Sequence, residues 1–209
     1  MKEIKKKDWI VIPPDSTVKE TTTALEQKGI KVITVWKKEA ALQKIKELIP
    51  KGAEVMNGSS TTLTEIGFTE YLKSGSHGWK NLHLLILEEK DPTQQLELRR
   101  KAASAEYFLG SVNAISKTGA LIACDASGSR VTAYPFAAKK LILVAGTQKI
   151  CDSLDEAMQR VRDYVFPLED ARALKAYGRN SSLGKWVIIE KEVIPDRITL
   201  ILVKEKLGF

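Results

Sequence analysis

Short runs rich in β-branched and apolar residues alternate along this chain with segments whose apolar positions fall three and four apart. The first run, Ile10-Val11-Ile12, ends at Pro13-Pro14 and predicts a short strand. Asp15-Ser16 then offers an N-cap for a helix with Val18 and Leu25 on one face, stopped by Gly29. Lys31 to Trp36 (KVITVW) is short and dense in β-branched residues, which predicts a strand. From Glu39 to Ile49 the positions Ala41, Leu42, Ile45, Leu48 and Ile49 keep helical spacing, and Pro50 ends the segment. Ala53 to Met56 predicts a buried strand, and Thr62-Leu63-Thr64-Glu65 has the form of a capping box opening a helix toward Leu72.

Gly75, Gly78 and Asn81 then mark a loop, and Leu82 to Leu87 fits either a strand or a helix. Asp91-Pro92 supplies a cap and a first-turn proline for a helix to about Ala105, followed by a strand at Tyr107-Phe108-Leu109. Ala120 to Cys124 predicts a strand that ends in the turn Asp125-Ala126-Ser127-Gly128. Lys140 to Ala145 is almost wholly apolar, as a strand covered on both faces must be. A second capping box, Ser153 to Glu156, starts a helix with Leu154, Ala157, Met158, Val161 and Val165 on one face. Trp186 to Ile189 and Ile198 to Val203 end the chain as two strands, expected to be antiparallel or edge pieces. This alternation is that of an α/β protein with a central, mainly parallel sheet flanked by helices and extra C-terminal strands. No linker divides it, so residues 1–209 are expected to form one domain.

Composition narrows the function. The 209 residues are 44% apolar, enough for a sizeable core, and 33 Lys and Arg against 26 Asp and Glu leave a net charge of +7. That excess suits anionic partners, yet only Lys5-Lys6-Lys7 forms a run, and Trp9, Trp36, Trp79 and Trp186 are too scattered for a base-stacking platform. Nucleic acid is therefore not an expected partner. No segment approaches the length of a membrane helix, so no membrane insertion is expected, and MKEIKKKDW lacks a signal-peptide core. With two cysteines only, Cys124 and Cys151, a reduced cytoplasmic protein is the expectation. His77 and His83 have no carboxylate or thiol at ligand spacing, so no metal site is expected.

The candidate chemistry lies where strands end. In VMNGSSTTLTEIGF an apolar run stops at Asn57-Gly58 and is followed by Ser59, Ser60, Thr61 and Thr62. Gly58 allows close approach, hydroxyls donate, and free amides before a helix attract negative charge, so the loop is read as a cradle for a phosphate or carboxylate. The competing reading is a solvated turn in which Thr62 only caps the helix. The spacing is not that of a nucleotide P-loop. Asn113, in a polar break between two apolar runs, is the candidate orienting group. Asp125 is the candidate general base; Ser127, Gly128 and Arg130 beside it, with Gly146 and Lys149 after the most apolar strand, complete an expected anion pocket. Cys124 is read as a small core residue. The residues do not decide whether the chain is an enzyme, whether it binds a cofactor, or whether it forms a homo-oligomer.

The run from Gly110 to Ala173 (GSVNAISKTGALIACDASGSRVTAYPFAAKKLILVAGTQKICDSLDEAMQRVRDYVFPLEDARA) resembles the LUD domain family of lactate-utilisation proteins. So do Lys51 to Phe68, with the Gly-Ser-Ser-x-Thr-Leu motif, and Arg197 to Phe209 (RITLILVKEKLGF). The resemblance implies a NagB/RpiA/CoA transferase-like fold and a role in oxidation of lactate to pyruvate beside iron-sulfur partner proteins. On that basis the chain is an enzyme or enzyme subunit binding an anionic carboxylate or phosphate metabolite, or else a non-catalytic assembly or metabolite-sensing subunit of an iron-sulfur oxidoreductase. Two departures bear on mechanism. Lys117-Thr118-Gly119 stands where family members often carry a glutamate before such a dipeptide, and a lysine cannot form that acyl intermediate. Lys175 to Lys185 lacks the cysteine-rich insertion of some relatives.

Overall fold

In the computed structural model, which describes residues 7–209, the apolar runs become two sheets. The main sheet comprises β1 (Lys31–Val35), β2 (Glu54–Asn57), β3 (Lys80–Asn81), β4 (Tyr107–Gly110), β7 (Lys140–Gly146) and β10 (Ile198–Val203). Its spatial order is β1-β10-β7-β4-β2-β3 and every pairing is parallel. The second sheet, in the order β8-β5-β6-β9, contains β5 (Ala114–Ser116), β6 (Leu121–Asp125), β8 (Ile150–Cys151) and β9 (Lys185–Ile189).

Side-chain alternation along β7 explains the layering. Leu141, Leu143 and Ala145 join Phe108, Leu200 and Leu202 on the face that meets Ile115, Leu121 and Ala123 of the second sheet. Ile142 and Val144 join Val55, Leu109, Ile201 and Val203 on the opposite face. There they pack on Ala41 and Ile45 of α2 (Lys38–Leu48), Leu63 of α3 (Thr61–Glu65) and Phe68 of α4 (Phe68–Lys73). A strand sandwiched in this way has no room for polar side chains, and each fully buried Leu or Ile adds about 1.5–3 kcal/mol. Behind the second sheet, Ala114, Ile122 and Cys124 pack on Ala157 of α7 (Leu154–Arg160). A π-helical turn, Val161–Val165, joins α7 to α8 (Phe166–Tyr177). The remaining helices are α1 (Asp15–Gln27), α5 (Leu82–Glu88) and α6 (Pro92–Ala102).

Local chemistry sets several boundaries. Asp91 accepts hydrogen bonds from the amides of Thr93 and Gln94, and Ser153 accepts from the Glu156 amide, as their capping sequences predict. The ambiguous run Leu82–Leu87 is helical because Asn81 Oδ1 accepts from the Leu84 amide and starts α5. The expected continuous helix to Leu72 is divided at Gly67, whose φ of +80° separates α3 from α4. Ile10–Ile12 does not form a strand: its side chains are exposed and Pro13-Pro14 lack the N–H groups a ladder needs. The two C-terminal strands differ in place. β9 lies antiparallel to β6 at the edge of the second sheet, whereas β10 sits inside the main sheet, parallel to β1 and β7. Residues Lys5 and Lys6 of the basic run lie outside the described residues, while Lys7 pairs with Glu156. Among the described residues no helix is long and apolar enough to cross a membrane.

Candidate functional site

β2, β4 and β7 are neighbours in the main sheet, so the loops leaving their carboxyl ends meet. These loops are Gly58–Thr62, Ser111–Asn113 and the single 3-10 turn Thr147–Lys149. Their meeting point is Lys149, which is 3% exposed. Its Nζ donates to Thr62 Oγ1 at 3.1 Å, Ser111 Oγ at 3.1 Å and Val112 O at 3.0 Å. Three donors meeting three acceptors is the full capacity of an ammonium. Burial, followed by the positive charges of Arg160 and Arg130, pushes the Lys149 pKa well below its ordinary value, with Glu65 opposing them.

The hydroxyl-rich loop begins where the Gly58 amide donates to Leu109 O at 3.1 Å. A Cβ at Gly58 would stand 2.7 Å from Cγ and 2.8 Å from Cδ of Arg130, so glycine lets the arginine stem cross the loop. The helix starts two residues earlier than its capping-box pattern indicates: Ser60 is the N-cap and its Oγ accepts from the Leu63 amide at 3.3 Å. Thr62 is thereby released to Lys149, and Glu65 turns to the Gly208 amide, at 2.6 Å. Among the described residues the amides of Ser59, Ser60, Thr61 and Thr62 donate to no protein acceptor. Tyr177, at the end of α8, reaches this loop; its hydrogen bond from Arg172, and then one with Ser59, lower the phenol's pKa.

The second sheet contributes the other candidates. Asp125 ends β6, and its carboxylate accepts from the amides of Gly128, Arg130 and Val131, the last two at 3.2 Å each. Arg130 Nη2 donates to Cys124 O at 2.6 Å, while Nε lies 3.8 Å from Asp125 and has no hydrogen-bond partner. Ser127 bonds Ser129 within the turn and, like Gly128, makes no hydrogen bond to the Lys149 cluster. Asn113 Oδ1 accepts from the Cys124 amide at 2.7 Å, tying the two strands' ends together. Gly58 to Thr62, Arg130 and Lys149 are thus drawn to one rim; Asn113 and Asp125 flank it through their backbone-binding roles, and Ser127 and Gly128 stand in the adjoining turn.

Several residues at this rim were not singled out by sequence reasoning. Ser111 donates to Thr62 Oγ1 at 3.2 Å and accepts from Lys149. Arg160, on α7, is fully buried with Nη1 on Asn113 O at 2.5 Å, its Nε unpartnered, and its pKa lowered to about 10 by burial. An arginine at helical spacing reads as a surface charge, so nothing in the pattern marks it. The tail following β10 closes the rim. Gln148 Nε2 donates to Leu207 O at 2.8 Å, and Gly208, at φ +59°, lies against Thr62 and Lys149 so closely that a Cβ would collide with the threonine hydroxyl. Gly146 serves this closure, because a Cβ there would strike the backbone of Glu205 and Leu207. Beside the tail runs an open groove of about 600 Å³ lined by Ile12, Lys38, Glu65, Lys204, Lys206 and Gly208.

His77 and the two cysteines take structural places, whereas His83 Nδ1 is buried without a hydrogen-bond partner among the described residues. His77 hydrogen-bonds Leu72 O and the Trp79 amide. Burial, before any other cause, pushes the Cys124 thiol up to about 11 and the Cys151 thiol up to about 12. Among the described residues no three His, Cys, Asp or Glu side chains are grouped as metal ligands.

A parallel sheet with loops gathered at its carboxyl edge defines an α/β protein of the open-sheet kind. Its fold is similar to that of a DUF162 family protein from Deinococcus radiodurans, seen in a crystal structure, with a TM-score of 0.53 and 14% identity over 92% of this chain and 99% of that one. The LUD domain model matches residues 18–203, and the chain belongs to the LUD domain family. No curated protein matches the sequence.

Proposed function

We propose that the rim around Lys149 binds a small anionic metabolite, a carboxylate or a phosphate, in a cytoplasmic protein serving the oxidation of lactate to pyruvate. The observation that carries this reading is geometric: among the described residues the amides of Ser59 to Thr62 have no protein acceptor beside the buried Lys149, whose pKa is lowered by burial and then by the positive charges of Arg160 and Arg130. An anion set among these groups would relieve that repulsion and restore the lysine's affinity for its proton. In this reading the amides of Ser59 to Thr62 and the hydroxyls of Thr62 and Ser111 receive the ligand's oxygens, while Lys149 and Arg130 balance its charge. Where the chain turns its ligand over, Asp125 is the candidate base and Asn113 the orienting group.

A second reading, a non-catalytic subunit that docks an iron-sulfur oxidoreductase, draws support from the closed state of the rim. Gly208 covers Lys149, whose three donors already have protein acceptors. Under the ligand-binding reading, residues 205–209 move aside for the ligand.

Melting curves with lactate, pyruvate, inorganic phosphate, a sugar phosphate and coenzyme A test the first reading, since a ligand of the native state raises Tm by mass action. An anion is expected to raise Tm for the parent and to lose most of that effect in Thr62→Val/Ser111→Ala, which removes both hydroxyls. Equal shifts in both proteins would dismiss the rim as its binding place. Turnover by the isolated chain would dismiss the docking-subunit reading.

A further inference from the structure

At the far edge of the main sheet, next to the two-residue strand β3, the helices α5 and α6 pack against each other as a hairpin. The sequence of α5, LHLLILE, is apolar around most of its circumference, yet only Ile86 is buried. Leu84, Leu85 and Leu87 of α5 and Leu96 of α6 are 48–60% exposed. A helix apolar around most of its surface favours cover, and half-exposed leucines gathered on one hairpin are a mark of a contact surface.

The charges around these leucines state what the cover is. At the turn between the helices, Glu88, Glu89 and Asp91 outweigh Lys90; in the last turn of α6, Arg99, Arg100 and Lys101 outweigh the nearby Glu97. The acidic and basic ends are separated by the 11 residues of α6, about 16 Å. A two-fold axis passing near Leu96 would bring the acidic turn of one copy beside the basic end of the other, twice, with the leucines between. Four leucines alone expose on the order of a few hundred Å², short of the roughly 800 Å² each partner gives to a stable interface, so the charged flanks must also be covered. An isologous contact over the leucines and both charged flanks covers all of these groups at once, since each copy presents the same patch. We infer that a second copy of this chain docks on the α5–α6 hairpin, leucines to leucines and acidic turn to basic end, forming a symmetric dimer.

Sedimentation velocity of the full chain at tens of micromolar tests this inference without reference to any ligand. The parent is expected to sediment as a dimer, Leu85→Glu/Leu87→Glu as a monomer with an unchanged circular-dichroism spectrum, and Arg99→Glu/Arg100→Glu as a dimer weakened at least tenfold. Adding Glu88→Arg/Glu89→Arg to the last variant is expected to restore the dimer, because the reversed ends again match. A monomeric parent, or a leucine variant that stays dimeric, overturns the inference. Failure of the fourfold charge reversal to recover association overturns the acid-to-base register, even where the leucine variant behaves as expected.

Discussion

Replacing Lys149 by methionine keeps the volume of the side chain and removes its charge and its three donors. Thr62 and Ser111 retain each other, with their hydroxyls 3.2 Å apart, and the Val112 carbonyl, which loses the Lys149 ammonium 3.0 Å away, keeps the Ser111 hydroxyl at 3.2 Å. Each hydrogen bond of the charged ammonium lost in this way costs about 1.5–3 kcal/mol. Against that loss stands the penalty the parent carries for burying an ammonium beside Arg160 and Arg130. Because the folded pKa lies below the ordinary 10.5, the unfolded chain binds the proton more tightly. The penalty is therefore complete below the folded pKa and vanishes as pH rises through the interval up to 10.5, each unit of depression counting for about 1.4 kcal/mol. Urea unfolding of both proteins from pH 7 to 10.5 reads this directly. The parent is expected to gain on the variant as pH rises, with a slope no steeper than about 1.4 kcal/mol per unit. A stability difference that stays flat across that range would show that Lys149 is not held in a cation-crowded, water-poor place, and the electrostatic case for the site would fall with it.

The buried pair Glu192 and Arg197 offers a stability test away from the rim. Arg197 Nε lies 2.6 Å from the carboxylate, and Nη2 also donates to Tyr134 O at 2.8 Å. Arg197→Met is expected to cost about 3–5 kcal/mol by leaving the carboxylate uncompensated, and adding Glu192→Gln to recover part of it; urea midpoints of the single and double variants measure both. The cysteines offer a chemical test: with thiols pushed up to about 11 and about 12 by burial, neither is expected to react with a disulfide reagent at pH 8 until the chain is unfolded. Rapid labelling of the native protein, read by absorbance, would contradict that expectation.

What was legible in the sequence followed from period and capping. The apolar run Lys140–Ala145 predicted the strand at the heart of the main sheet, and Asp91-Pro92 and Ser153 to Glu156 marked their helix starts because caps are local chemistry. Place was harder to read than type. Ile198–Val203 is as apolar as Lys140–Ala145, and its central position depends on which strands it meets, a fact that no window of residues contains. At the rim, Lys149 and the Gly58 loop were legible because they interrupt apolar runs. Arg160 was not, since its burial arises from α7 packing on the second sheet. Asp125 was marked by its turn, but the three amides that gather on its carboxylate come from backbone curvature invisible in composition.

The segment that shuts the rim is a direct continuation of β10, and its first amide, that of Lys204, donates to Val35 O at the end of β1. Peeling it back to admit a molecule would tug on the neighbouring strand rather than on a free-hanging loop. Arrival at Lys149 would then be audible at the end of the adjoining strand, as quicker deuterium uptake at Lys204.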